Sequence, residues 1–384
     1  MRIGFIAGEY PPRQGGVGAY TRILAGEIAK LGHEVHIVSR EGTVSDDPAL
    51  KLSPIIKRWD VSSLGAIRSW ARGLDVINVQ YQTAAFDMSP LIHFLPQIIT
   101  PVVTTFHDLR HPYLFPKAGR LRDWIVMHLA RTSAGAITTN HEDAARLAHL
   151  PHTMLIPIGS NILKPLGAEF DPSAWRKQAG AQPGDFLLAY FGLINRSKGL
   201  EPLLESVAAL RADGIPARLI MIGNAGTSDP TNIAYMDEID ALISRLGIES
   251  YLYRLGYIED DTIIGSYLSA ADAVVLPFAD GASYRRGSLM AALRYGCATV
   301  TTMPAVSIPT FRDGENLLLV PPNDAPALTA ALRRLYESPP LRERLKVGAA
   351  ALSHEFDWSQ IAAQTVAFYG AVGGGASPSR TASR

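Results

Sequence analysis

Short apolar runs alternate with apolar positions at helical spacing along most of the chain. Arg2–Ala7 is led by β-branched and aromatic residues and ends in Gly8-Glu9-Tyr10-Pro11-Pro12, where neither helix nor strand continues. From Val17 a helix is predicted, with Tyr20, Ile23, Leu24, Ile28 and Leu31 at helical spacing and Gly32 as the stop. Strands are predicted at 35–38, 75–79, 102–106 and 136–139, with helices near 62–71, 120–132 and 142–149. A stretch richer in Pro and Gly follows at 157–184, read as a linker with a short helix near 174–178. The pattern then restarts. Strands are expected at 186–191, 217–222, 251–255, 273–276 and 298–302, and helices at 200–212, 235–246, 261–270 and 288–295. Such alternation implies mostly parallel sheets covered on both faces. The expected class is α/β, two Rossmann-like doubly wound domains facing each other across a cleft, with ligands at the carboxyl ends of strands. Residues 1–170 form the expected N-terminal domain and 171–355 the C-terminal one. Residues 356–372 are read as a helix packing back on the N-terminal domain, and 373–384, Gly/Ser-rich, as a disordered tail.

Composition narrows the function classes. With 384 residues, 47% hydrophobic and 19% charged, the chain can fill two cores and is not a disordered one. Lys+Arg and Asp+Glu both total 36, so no bulk charge points to nucleic acid, and no nucleic-acid-binding module is recognised. The single Cys297 excludes an internal disulfide, a CxxC pair and a cysteine zinc cluster. The apolar start is too short for a signal peptide, and no run approaches the roughly 18 residues of a membrane span. A soluble, cytoplasmic protein is expected.

Two loops carry candidate chemistry. Gln14-Gly15-Gly16-Val17-Gly18 lies between the first strand and first helix, where backbone N–H groups and the helix start suit an anion. A nicotinamide dehydrogenase uses the same device, but its G-x-G-x-x-G would follow the strand at once; here two prolines intervene. A turn that only starts a helix is the plainer reading. The second loop, Gly192-Leu193-Ile194-Asn195-Arg196-Ser197-Lys198-Gly199, follows a strand and places two cations where a diphosphate fits. A solvated turn is its alternative.

With both loops in place, the chain resembles the retaining GT-B glycosyltransferases of family 4, from Arg2 to about Tyr369. The resemblance rests on the Pro-Pro-Arg-Gln-Gly-Gly-Val-Gly loop, on residues Leu31 to Ile37, on Thr105-Phe106-His107-Asp108, and on Thr138-Thr139-Asn140. Further matches are Phe191-Gly192 through Lys198-Gly199, Met221-Ile222-Gly223, Leu255-Gly256-Tyr257, and Ala270-Ala271-Asp272 leading to Leu276-Pro277. It implies a sugar nucleotide on the second domain, an acceptor on the first, and transfer with retention, without metal, cofactor or protein nucleophile. It further implies that Arg196 and Lys198 neutralise the leaving diphosphate, that Gly15 and Gly16 offer N–H groups to it, and that His107 lies beside the transferred sugar. A loop or core histidine is the other reading of His107. The Gly192 loop belongs to the same donor site.

One departure stands out. The family's Glu-x7-Glu acids would fall at Ser283 and Ala291, neither of which carries charge. Asp280 is the nearby acid, while Arg285 and Arg286 precede Gly287 and Ser288 at a helix start that suits phosphate. The chain is thus either a transferase that grips its donor through arginines and N–H groups, or a degenerate binder. An epimerase of the same architecture would need acid/base carboxylates, of which few are present. Two stretches mix bases with aromatics: 51–72, with Lys57, Arg58, Trp59, Arg68, Trp70 and Arg72, and 117–131, with Arg120, Arg122, Trp124 and Arg131. They are read as contacts with anionic membrane at its inner face, or as ordinary surface helices. The expected partners are therefore a nucleotide-sugar donor, a glycan or lipid-linked acceptor, and that membrane.

Overall fold

A computed structural model describes residues 1–13, 15–109, 119–225 and 230–373. The chain divides into two compact units, Met1–Asn161 with the chain from Asp357 onward, and Ile162–Phe356. The expected tail beyond residue 373, Gln14, Lys117 and the side chains of Arg120 and Arg122 lie outside the described residues.

The first unit runs β1 (Arg2–Ala7), α1 (Gly16–Lys30), β2 (Glu34–Arg40), β3 (Leu50–Ile56), α2 (Val61–Trp70), β4 (Val76–Tyr81), β5 (Val102–Phe106), α3 (Gly119–Thr132), β6 (Gly135–Thr138), α4 (His141–Leu147) and β7 (Thr153–Leu155). All seven strands pair in parallel in the order β3-β2-β1-β4-β5-β6-β7. β4 and β5 are buried along their whole length, as expected for strands covered on both faces. β3 was not anticipated. It is an edge strand interrupted by Pro54, with only its ends buried, so it lacks the continuous apolar signal of its neighbours.

The second unit runs α5 (Pro172–Gln178), β8 (Phe186–Phe191), α6 (Leu200–Ala212), β9 (Ala217–Ile222), α7 (Pro230–Leu246), β10 (Leu252–Gly256), α8 (Asp261–Ala270), β11 (Ala273–Leu276), α9 (Gly287–Arg294), β12 (Thr299–Thr302), β13 (Leu318–Val320), α10 (Ala325–Glu337) and α11 (Pro339–Ser353). Its six strands are parallel in the order β10-β9-β8-β11-β12-β13. Residues 162–164 go with this unit because Leu163 N–H donates to Asp261 at 2.8 Å and the Tyr295 hydroxyl donates to Lys164 O at 2.7 Å.

The chain then returns to the first unit as α12 (Trp358–Gly373). Trp358 donates its indole N–H to Ser160 O at 2.7 Å and meets Tyr20 of α1 edge-on, with ring centroids 5.2 Å apart. Phe368 covers Gly135, where a Cβ would come within 2.9 Å of its ring. Among the described residues no helix is long and apolar enough to cross a membrane.

Candidate functional site

In each sheet the strand order reverses direction beside the first strand of the unit, at β1/β4 and at β8/β11. Ligands of doubly wound sheets bind outside the carboxyl ends of strands at such points. The sequence-predicted residues fall there, in two groups, one on each unit.

In the second unit the loop after β8 and the loop after β11 are stitched together. Ala279 N–H donates to Ser197 O at 3.0 Å, and a Cβ on Gly199 would come 2.0 Å from Pro277 O. Gly199 also has φ +64, so glycine is required twice over. Gly199→Ala is expected to lower stability by about 2 kcal/mol or more, read as a fall in the urea midpoint. An unchanged midpoint would show that the two loops are not tied here. Asn195 turns the basic loop, its side chain accepting from Ser197 N–H at 3.1 Å, which leaves Arg196 and Lys198 on one short 3-10 turn.

Their environments differ. Arg196 is exposed, paired with Glu238, and 5.1 Å from the Tyr235 ring centroid. Lys198 is half-buried, and its Nζ lies 5.3 Å from the ring centroid of the buried Phe278. The Arg286 guanidinium sits 4.6 Å from that same centroid. Burial first, then the positive charge of Arg286, pull the Lys198 pKa down to about 7. Among the described residues no carboxylate pairs with Lys198, whereas Arg286 pairs with Asp280. Asp280 is thus held by a cation.

Arg286 is also the residue from which α9 starts, with Gly287 first in the helix and Ser288 second, one residue earlier than predicted. The Ser288 hydroxyl is buried and has no hydrogen-bond partner among the described residues. It lies 3.7 Å from the point where a Cβ would stand on Gly192. A side chain at Gly192, whose φ is +144, would crowd the space between the β8 loop and the start of α9. Arg285 is half-buried in the same turn.

In the first unit, Gly15 caps α1 with extended backbone. The helix start is already occupied: Glu9 Oε1 accepts N–H groups from Val17 at 3.1 Å and Gly18 at 3.3 Å. A Cβ on Gly15 would stand 2.1 Å from that carboxylate. The glycine at 15 therefore makes room for Glu9, a residue whose part in the loop spacing alone does not reveal. The cap brings a full negative charge to the α1 dipole.

His107 follows β5. Its N–H donates to Tyr81 O at 3.1 Å, and Leu109 N–H donates to the Asp143 carboxylate at 3.2 Å, so both sides of the turn are held. Asn140 caps α4 by accepting from Asp143 N–H at 3.0 Å, which gives the Thr-Thr-Asn motif a structural task. The His107 ring Nε2 is 2.8 Å from Gln80 Oε1, and Tyr20 meets the ring edge-on at 4.7 Å. Burial lowers the His107 pKa to about 3, so the imidazole is neutral at physiological pH.

The basic-aromatic stretches separate. Trp59 is buried in the core against Phe86, with centroids 4.8 Å apart, and Trp70, half-buried, packs on that core over Gly4. On α3, Trp124 and Leu121 are exposed.

The family model described as "Glycosyltransferase Family 4" matches residues 14–159, and that for "Glycosyl transferases group 1" matches 185–338. An MMP alpha-(1->4)-mannosyltransferase of Mycolicibacterium hassiacum is 26% identical over 96% of this chain and 98% of that protein. Sucrose-phosphate synthase from Thermosynechococcus elongatus superposes with a TM-score of 0.77 at 20% identity, covering 98% of this chain and 100% of that one. HepE from Anabaena, solved in complex with UDP and glucose, superposes with a TM-score of 0.74 at 18% identity, covering 97% and 100%. One family match falls on each parallel sheet and the fold is GT-B, so this chain belongs to glycosyltransferase family 4.

Proposed function

We propose that the protein transfers a sugar, with retention, from a nucleoside-diphosphate donor to a glycan or lipid-linked acceptor, without a metal. The observation that carries this reading is the pair of cations, Lys198 and Arg286, both against the Phe278 ring at the β8/β11 switch point, with no carboxylate on Lys198 among the described residues. Holding a half-buried ammonium beside a guanidinium is unfavourable until an anion enters. The lowered Lys198 pKa is that cost made visible. A leaving diphosphate supplies the anion, and fixed cations stabilise charge that develops on it as the glycosidic bond breaks. The Gly192 turn and the Ser288 hydroxyl at the start of α9 complete the phosphate site. HepE, solved with UDP and glucose, supports a nucleotide sugar as donor. His107, neutral, is assigned to the transferred sugar.

The test combines binding with turnover. Nucleoside diphosphates and their sugars are screened by calorimetry, and diphosphate release is followed with and without glycan and polyprenyl-phosphate acceptors. Bound phosphate favours the ammonium, so binding should be strongest below pH 7 and weaken as pH rises through it, with proton uptake in the weak range. Lys198→Arg, which stays charged, should abolish that proton uptake. Binding that is independent of pH and of Lys198 would overturn the diphosphate site.

Ser283 and Ala291, where the family carries acids, favour one second reading, a binder that no longer transfers. Tight pH-linked binding with no turnover on any donor–acceptor pair would establish it. Exposed Trp124 and Leu121 on α3 support action at the cytoplasmic face of an anionic membrane. Sedimentation with anionic vesicles that Trp124→Ala leaves unchanged would remove that part.

A further inference from the structure

β4 is entirely buried, yet it carries two amides, Asn78 and Gln80, two residues apart and so on one face of the sheet. Buried amides are retained only where their hydrogen bonds are made. Here they form a chain. Gln80 Nε2 donates to Asn78 Oδ1, and Asn78 Nδ2 donates to Thr105 Oγ1 at 3.0 Å on the neighbouring strand. Thr105 Oγ1 in turn lies 3.2 Å from Asn78 Oδ1, so that oxygen receives two donors. In this arrangement of the two amides, Gln80 Oε1 is the atom facing His107 Nε2, 2.8 Å away.

A carbonyl oxygen only accepts. The ring nitrogen opposite it must therefore carry the proton, and in a neutral imidazole the other nitrogen is then an acceptor. The ring is neutral because it is crowded by protein. The titratable side chain packed on it, from α1, is Tyr20, whose own pKa burial raises, and no charged group contributes to the His107 shift. Among the described residues no hydrogen bond reaches Nδ1.

We propose that Gln80, Asn78 and Thr105 are positioning residues that hold His107 as the Nε2–H tautomer, so that Nδ1 is presented as the acceptor for a substrate hydroxyl. The substrate's identity rests on the glycosyltransferase reading; the tautomer does not. A side chain that only accepted through Nδ1 would select for a hydroxyl donor on the sugar, and a deoxy analogue would leave that nitrogen unmatched.

The experiment uses the full chain labelled with 15N-histidine, with His107 identified by the resonances lost in His107→Asn. The parent should show a protonated Nε2 and an unprotonated Nδ1, unchanged between about pH 5 and 8. Gln80→Met, similar in length but without an acceptor, should mix the tautomers. It should also lower kcat by roughly 10- to 100-fold while nucleoside diphosphate affinity is unchanged, as when a histidine loses the partner on its other nitrogen. Gln80→Glu places a carboxylate on Nε2 and raises the ring pKa. Its rate should then be low in acid and rise with pH through the new pKa, a dependence the parent lacks. A parent Nδ1–H tautomer, or Gln80→Met with both tautomer and kcat intact, would overturn the proposal. If Gln80→Met fails to fold, the parent spectrum and Gln80→Glu still decide. If the parent transfers no sugar at all, the transferase reading falls while the spectrum still tests the relay.

Discussion

Lys198→Ala is expected to keep its fold and lose about two to three orders of magnitude in turnover, the scale of one removed transition-state donor. The charge of Lys198 is half-buried and, among the described residues, unshared with a carboxylate, so under the proposed reaction its whole effect would be available to a leaving diphosphate. Arg196→Ala should cost less than the sequence suggested. Its side chain is 66% exposed and already paired with Glu238, so solvent and that carboxylate screen it. Initial rates under saturating donor, with circular dichroism to confirm folding, separate the two variants. Near-parental turnover by Lys198→Ala would remove the residue from the reaction.

Arg286→Ala should weaken nucleoside diphosphate binding by about 1.5–3 kcal/mol, the scale of a charged hydrogen bond. Only 11% of the Arg286 side chain is exposed, so the guanidinium would meet a donor phosphate with little competition from water. Two further results follow from its contacts. Asp280 loses its cation, which should lower the melting temperature. Lys198 loses its positive neighbour, so its pKa should rise above 7 and the pH dependence of binding should move upward with it. Asp280→Asn should act in the opposite sense and strengthen binding of the free diphosphate, because the guanidinium is released. Calorimetry that finds Arg286→Ala and Asp280→Asn binding like the parent would show that the pair is not part of the donor site.

The long buried strands were legible because their apolar residues run without interruption, and the loops after them followed from Gly, Pro and charge. What was not legible came from partners distant in sequence or from weak local signals. β7 and β13 are three residues each, too short to show a period. α10 was missed although Leu328, Leu332 and Leu335 mark a helical face. Asn78 and Gln80 read as polar interruptions of an apolar strand; their meaning depends on Thr105 and His107, each 27 residues away on the adjacent strand or its end. Glu9 stands in the run that ends the first strand, and its role depends on the α1 amides, eight and nine residues on, that its carboxylate caps. The two arginines before α9 were visible, but the ion pair that occupies Asp280 was not.

The first unit holds chain from both sides of the second, and this sets the order in which a ribosome can complete them. β1 through β7 emerge before Ile162–Phe356 and α12 emerges after. Until then Tyr20, Gly135 and the α1 surface that Trp358 and Phe368 cover remain bare to the nascent-chain environment. The second unit is continuous in sequence and can close as soon as it is made. The first must wait for a contact such as Trp358 to Ser160, 198 residues apart, and closures of that length are slow. The unit begun first is therefore finished last, and its open interval is the period in which a chaperone would find it.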